Sequence, residues 1–229
     1  MPYMKPHASA PQLDFGFRAP PRPRRRRRGR PARPGAGVPH SRRAVDRRCP
    51  LHVTLRMREH VWNLRSRRCF QVLERAFYRG CGRFGGRVCH FSVQHNHVHL
   101  VVEAADATAL ARALQGLCIR MAKGLNRVMG RKGAVFADRY HARVLRTPTE
   151  VRRALVYVLA NGRKHLPEVG HRLSVGWLDP YSSAAWFDGW RGGHGIRFGP
   201  GPVVCPETWL LATGYRRAGG PLRPDELPS

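Results

Sequence analysis

The stretch His97-Val98-His99-Leu100-Val101-Val102 joins two histidines, one residue apart, to a run of aliphatic side chains. Successive side chains of a β-strand point to opposite faces of its sheet. We therefore expect His97 and His99 side by side on one face, with Val98 and Leu100 in the core on the other. Two imidazoles held in this way can bind one divalent metal ion, although a chain with 12 histidines also contains such a pair by chance.

The charge balance of the chain predicts a polyanionic partner. The formal net charge is +28, with 42 Lys and Arg against 14 Asp and Glu. Such an excess favours nucleic acid or an anionic membrane surface. No apolar run approaches the roughly 20 residues of a membrane-spanning helix, and no secretory signal is recognised, so we expect a cytoplasmic, nucleoid-associated protein. The six cysteines lack the spacing of a zinc site and are expected to be reduced.

Composition divides the chain into three parts. Residues 1–48 include the segment 20–37, which contains only Pro, Arg, Gly and Ala, and this part is predicted to be a disordered basic arm that contacts phosphates weakly. Residues 49–190 are predicted to form one compact domain. Residues 191–229 are rich in Gly and Pro and are predicted to be a tail, with Trp209 and Leu210 as its only obvious anchors.

Hydrophobic periodicity predicts the order of elements within the domain. The elements are a strand at 51–57, a helix capped by Ser66, a hairpin of strands at 87–93 and 97–102, a helix at 107–129, a strand or extended loop at 134–145, and a helix from an N-cap at Thr149 through Lys164. This order is close to a ferredoxin-like βαββαβ unit with an added C-terminal helix, an α+β fold. Such a layout covers one face of the sheet with helices and leaves the other face, which carries the histidines, free for a large ligand.

The last predicted helix places a phenol and a carboxamide together. Its apolar residues span an arc of about 140° at 100° per residue: Val151, Ala154, Leu155, Val158 and Leu159. Tyr157 and Asn161 lie one turn apart, just beside that stripe. On helix geometry alone, Tyr157 is equally compatible with a boundary tyrosine that shields the edge of the core.

Four pieces of the chain occur in the order seen in a known family. They are Asn96-His97-Val98-His99-Leu100, Phe136-Ala137-Asp138-Arg139-Tyr140-His141, Tyr157-Val158-Leu159-Ala160-Asn161 and Asp179-Pro180-Tyr181-Ser182-Ser183-Ala184-Ala185-Trp186. Over residues 51–186 the chain resembles the single-tyrosine transposases of the HUH class, the insertion-sequence-200-like family, and most closely its REP-associated branch. That branch usually has proline after the asparagine, whereas Gly162 follows here.

The resemblance implies a role for each matching residue. His97 and His99 would coordinate a divalent cation, Mg²⁺ or Mn²⁺, and Asn161 would add an oxygen ligand. Tyr157 would attack a DNA phosphodiester and leave a 5′-phosphotyrosine and a free 3′-hydroxyl. The implied partners are single-stranded or hairpin DNA and a second copy of the chain, since family members act as homodimers. The candidate phosphate contacts are Arg56, Arg120, Lys123, Arg127, Arg139 and Arg143.

Three alternatives stay open from the sequence. Tyr140 is a rival nucleophile, although no carboxamide follows it one turn later. His52, His90 and His141 either line the site or are ordinary boundary histidines. Finally, the whole chain is compatible with a non-catalytic, domesticated or decayed transposase that only binds DNA or RNA.

Overall fold

Four antiparallel strands form the sheet at the centre of the protein. The computed structural model describes residues 45–165, 173–193 and 199–227, all within the unit Ser41–Ser229. The strands are β1 (Leu51–Arg56), β2 (Gly86–Val93), β3 (His97–Ala104) and β4 (His141–Val144), in the spatial order β2-β3-β1-β4. The helices are α1 (Arg67–Gly80), α2 (Ala107–Val128), α3 (Pro148–His165) and the short α4 (Trp209–Ala212).

This architecture confirms the predicted α+β fold class. The order of β1, α1, β2, β3, α2, β4 and α3 along the chain is the predicted βαββαβ unit followed by one added helix. Each pair of neighbouring strands is antiparallel, and β2 and β3 form the predicted hairpin. Most of the basic arm predicted over residues 1–48 lies outside the described residues.

The sheet separates two hydrophobic cores. Every second side chain of β3 points to the same face of the sheet. On one face, these side chains pack with the apolar stripes of α1 and α2 in the first core: Val98, Leu100 and Val102. The other set includes Val101, which packs with the stripe of α3 in the second core. Since His97 and His99 share the parity of Val101, they lie on the second face of the sheet.

The second face is not bare, contrary to the sequence-based expectation. Leu155, Val158 and Leu159 of α3 are buried against Val101 and Cys89 on that face. The apolar stripe of α3 needs a hydrophobic partner, and these two sheet residues supply one beside the histidines. Helix α3 therefore covers part of the face that the sequence predicted to be free.

Helix α3 begins with a capping box two residues before the predicted position. The backbone N–H of Glu150 donates to the Thr147 hydroxyl at 3.2 Å, and the Glu150 carboxylate accepts from the Thr147 N–H at 3.2 Å. Pro148 occupies the first helical position, where a missing N–H has no consequence. The cap is Thr147 and not Thr149.

A buried ion pair packs closely against the far end of α3. The Arg65 guanidinium donates to both carboxylate oxygens of Asp179, at 2.9 and 3.0 Å, and the Asp179 side chain is fully buried. Gly162 lies directly beneath this carboxylate, and a Cβ at that position would overlap it. The close approach explains why glycine follows Asn161 here.

The C-terminal segment packs against α3 through more residues than the sequence indicated. Leu211, Tyr215 and Leu222 are buried in the second core, as is Leu210. Trp209, predicted as an anchor, is instead 50% exposed. Within the described part of the chain, no helix combines the length and the apolar character needed to cross a membrane.

Candidate active site on the second face of the sheet

The two histidines lie side by side on β3, as strand parity predicts. Their ring centroids are 4.7 Å apart, with the ring planes nearly perpendicular. His99 is buried, whereas His97 is half-buried at the hairpin end of the strand. The Asn96 carboxamide oxygen lies 2.8 Å from Nδ1 of His97.

Helix α3 brings Tyr157 onto His99. The tyrosine hydroxyl lies 3.4 Å from Nε2 of His99, and the two ring centroids are 4.9 Å apart in an edge-on contact. Tyr157 is only partly buried, because it sits at the rim of the apolar stripe of α3. A phenol and an imidazole 58 positions apart in sequence thus meet within one chain.

The other ring nitrogen of His99 faces β1. His52 Nε2 and Thr54 Oγ1 each lie 3.2 Å from His99 Nδ1. Thr54 is directly opposite His99 in the β1–β3 register, and the His52 ring stacks on that of His99 with a centroid separation of 5.2 Å. The role of Thr54 was missed from sequence, since nothing local to a single threonine on a strand shows which residue faces it.

Burial keeps the inner imidazoles neutral. Desolvation, reinforced by the neighbouring rings of His97 and His52, lowers the pKa of His99 to about 3. Desolvation also lowers the pKa of His52 to about 4, with smaller contributions from His141 and Arg143. At neutral pH each of these rings therefore has one N–H and one nitrogen lone pair.

Two imidazoles on β3 and one carboxamide on α3 are donors of the kinds that bind divalent cations. His97 and His99 supply imidazole nitrogens, and Asn161, buried one turn beyond Tyr157 on α3, carries a carboxamide oxygen. Neutral imidazole is the form that binds metals. Across the described residues, no three His, Cys, Asp or Glu side chains converge as a metal cluster. A set with two imidazole nitrogens suits Mn²⁺ better than Mg²⁺, which prefers oxygen ligands.

The predicted phosphate contacts divide between two surfaces. Arg56 pairs with His97 across the strands, and Arg143 of β4 pairs with His52, so both lie on the histidine face. Arg143 also donates to Glu150 at 2.8 Å. Arg139 is exposed in the segment before β4, where Ala137 donates its N–H to the Arg56 carbonyl at 2.9 Å.

The remaining predicted contacts lie on the opposite side of the sheet. A groove of about 520 Å³ runs between α1 and α2, the helices of the first core. Its charged lining residues are all basic: Arg75, Arg79, Arg120, Lys123 and Arg127. The last three were predicted as nucleic-acid contacts, and the structure places them away from His99 in what we call the α1–α2 groove.

The structure also shows where the rival tyrosine and the additional histidines lie. Tyr140 packs partly against the first core and so lies on the other side of the sheet from His99. His90 is buried among the second-core residues, with its ring 5.3 Å from that of Phe187 and its Nδ1 3.5 Å from the Ser183 hydroxyl. His141 is exposed on β4 opposite Thr54. Of the three additional histidines, His52 alone contacts His99.

The fold matches that of a solved transposase. A REP-associated tyrosine transposase bound to a REP hairpin superposes with a TM-score of 0.51 at 13% sequence identity, covering 74% of this chain and 100% of that one. A Deinococcus radiodurans protein described as a candidate transposase matches at a TM-score of 0.36 and 12% identity, over 54% and 92% of the two chains. That second score is too low to support an argument. No family model and no curated protein sequence matches the chain. The fold of this protein is therefore similar to that of the REP-associated tyrosine transposase.

Proposed function

We propose that this protein is a transposase that nicks and rejoins DNA through a covalent tyrosine intermediate. The observation that carries the proposal is the 3.4 Å separation between the Tyr157 hydroxyl and Nε2 of His99. These two residues are the nucleophile and one of the cation ligands that the resemblance implies. Tyr157 is partly exposed, so its side chain is not enclosed in the second core.

In the proposed reaction, the Tyr157 oxygen attacks the phosphorus of a DNA phosphodiester. A bond forms between the phenolic oxygen and phosphorus, and the bond from phosphorus to the 3′-oxygen breaks. The phenolic proton leaves to water, and a proton from water completes the new 3′-hydroxyl. The 5′-phosphate stays on the tyrosine, and because phenoxide is a good leaving group, a 3′-hydroxyl can reverse the step and rejoin a strand.

A divalent cation is part of the proposal. His97, His99 and Asn161 would hold it, and once bound it would neutralise phosphate charge and align the phosphate for in-line displacement. The protein itself orients the nucleophile, since α3 begins at the Thr147 capping box and its apolar stripe is buried against the sheet on either side of Tyr157.

Hairpin or single-stranded DNA is the proposed substrate. The net charge of +28 favours a polyanion, and the structural neighbour was solved with a REP hairpin. We assign the scissile strand to the histidine face, where Arg56 and Arg143 lie. The α1–α2 groove would hold a more distant part of the DNA backbone. The homodimer implied by the resemblance stays a prediction.

A covalent-adduct assay tests the proposal. The purified protein is incubated with end-labelled hairpin DNA and Mn²⁺, and SDS-resistant protein–DNA adducts are resolved on a denaturing gel. The wild type is expected to form an adduct, and Tyr157→Phe and His97→Ala are expected to lose it while still shifting the DNA in a native gel. Tyr140→Phe is the matched control and should retain the adduct.

The assay also separates catalysis from binding alone. DNA binding without any adduct in the wild type would support the non-catalytic alternative. An undiminished adduct in Tyr157→Phe would overturn the assignment of the nucleophile.

A further inference from the structure

His99 is held from both sides by side chains that reach its two ring nitrogens. On one side are His52 Nε2 and Thr54 Oγ1, each 3.2 Å from Nδ1. On the other side is the Tyr157 hydroxyl, 3.4 Å from Nε2. With His99 buried, these neighbours decide which nitrogen carries its single proton.

The two possible tautomers have different consequences for Tyr157. With the proton on Nδ1, His99 donates toward β1, and its Nε2 lone pair can accept the phenolic O–H or bind a cation. With the proton on Nε2, His99 donates to the phenolic oxygen and offers no lone pair on that side. Only the first form can accept a hydrogen bond from the Tyr157 hydroxyl, or bind a cation, through Nε2.

We infer that His52 and Thr54 are positioning residues that hold His99 in the tautomer protonated at Nδ1, so that its unprotonated Nε2 faces the Tyr157 hydroxyl. The His52 ring nitrogen and the Thr54 hydroxyl oxygen both have lone pairs that can accept the Nδ1 proton at the observed distances. Residues that accept the second N–H of a ligating histidine fix its ring and its tautomer.

His97 shows the same arrangement with a different partner. Its Nδ1 lies 2.8 Å from the Asn96 carboxamide oxygen, which can only accept a hydrogen bond, so Nδ1 carries the proton. Each histidine of the pair thus has an acceptor at Nδ1, one from the hairpin turn and the other from β1.

The contacts from β1 depend on strand register. Thr54 is paired with His99, and His52 lies two residues away on the same face. The β1–β3 register places Thr54 opposite His99, and a one-residue shift would turn both β1 side chains into the first core. The register of β1 against β3 therefore sets the chemical form of His99.

Nitrogen NMR tests the tautomer directly, without DNA or metal. In protein labelled with ¹⁵N at histidine, the two ring nitrogens of His99 are assigned by their loss in His99→Gln. The wild type is expected to show Nδ1–H. The double variant His52→Phe/Thr54→Val keeps side-chain size but removes both acceptors, and it is expected to lose the predominance of that form. His95→Phe/Thr149→Val, at exposed positions, is the matched control and should not change it.

Adduct kinetics supply the second readout and rest on the proposed function. The rate of adduct formation in His52→Phe/Thr54→Val should fall by about 10- to 100-fold, the usual effect of removing a partner of a ligating histidine, with DNA affinity unchanged. His52→Gln/Thr54→Ser, which retains both acceptors, should recover the wild-type tautomer and most of the rate. If the first double variant does not fold, single Thr54→Val is measured, with a smaller change in the same direction.

The outcomes distinguish the two proposals. A wild-type His99 protonated at Nε2, or a double variant that keeps Nδ1–H, overturns the positioning role even if the enzyme is active. Wild-type protein that forms no adduct overturns the proposed function, while the NMR result still decides the tautomer.

Discussion

The hydroxyl of Tyr157 lies 3.4 Å from Nε2 of His99, within a single chain. The two residues come from elements that pack on each other, since α3 covers the second face of the sheet beside β3. No second subunit is needed to bring the phenol to the imidazole. This arrangement bears on a question that the sequence leaves open, namely whether the tyrosine serves its own site or that of a partner.

We expect Tyr157 to act on the site of its own chain. An equimolar mixture of Tyr157→Phe and His99→Ala proteins should form no adduct, because neither chain contains both groups. The mixture is assayed with labelled hairpin DNA, with one variant carrying a size tag. An adduct on the chain bearing His99→Ala would show that the tyrosine moves to a partner subunit.

The buried ion pair between Arg65 and Asp179 should be important for stability. Asp179→Asn removes the charge but keeps the size, leaving Arg65 largely buried beside a neutral amide. We expect a loss of about 3–5 kcal/mol in the free energy of unfolding, measured by urea denaturation. Asp225→Asn, which breaks a solvent-exposed pair with Arg223, is the control and should lose less than about 1 kcal/mol. Equal losses in both variants would contradict this account.

Gly162→Ala should destabilise the protein although alanine favours helices. The new Cβ would overlap the Asp179 carboxylate, which is fixed by Arg65 and cannot retreat. Gly116→Ala on α2 is a matched helical control, because its Cβ would meet only flexible side chains, the exposed Phe84 ring at 3.0 Å and the Arg120 guanidinium at 3.3 Å. Helix propensity would contribute up to about 1 kcal/mol in favour of either alanine. Thermal unfolding should therefore show a lower Tm for the first variant and an equal or higher Tm for the second.

Acid should destabilise the fold through His90. Burial lowers the pKa of His90 to about 3 from an ordinary value of 6.5, so the folded state prefers the neutral ring. The contribution of neutral His90 to the free energy of unfolding is complete above pH 6.5. As the pH falls from 6.5 toward 3, that contribution is lost by about 1.4 kcal/mol per pH unit. The free energy of unfolding should fall less steeply between pH 7 and 5 in His90→Gln than in the wild type. Gln71→Asn, at an exposed position without a titratable group, should keep the wild-type slope, and equal slopes in all three proteins would refute the prediction.

The α1–α2 groove should contribute salt-dependent DNA affinity. Replacing Arg120, Lys123 and Arg127 with Gln removes three positive charges from one surface, so the slope of log affinity against log salt should decrease by up to about 3. Adduct formation at saturating DNA should not change, because the groove lies across the sheet from Tyr157. The charge-matched control, Arg67→Gln, Arg68→Gln and Arg112→Gln, lies outside the groove and should change the slope less. The same slope for both triple variants would show that the groove is not a distinct contact surface.

The helices and strands follow from local patterns of apolar and polar residues that can be recognised in the sequence. Strand alternation placed His97 and His99 on one face, and helical rotation placed Tyr157 beside the apolar stripe of α3. Both periodicities are properties of a single element, so they can be recognised without knowing what packs against it. The predicted cap of α3, Thr149, is wrong and the cap is Thr147, because both threonines can accept the same type of bond and only the backbone geometry distinguishes them.

Contacts between distant parts of the chain needed the tertiary structure. Sequence did not show that Thr54 would face His99, because the β1–β3 register depends on which apolar sets enter the first core. For the same reason, α3 was not expected to cover the histidine face, and Arg120, Lys123 and Arg127 were grouped with residues on the other side of the sheet.

By itself, the sequence determined which side chains share a face of each element, because covalent geometry sets the periods of strand and helix. The fold determined which faces meet. Burial of two apolar surfaces on opposite sides of one sheet brought α3 over β3, and with it Tyr157 to His99. That choice depends on the sum of many weak contacts across the whole domain, and no short stretch of sequence contains it.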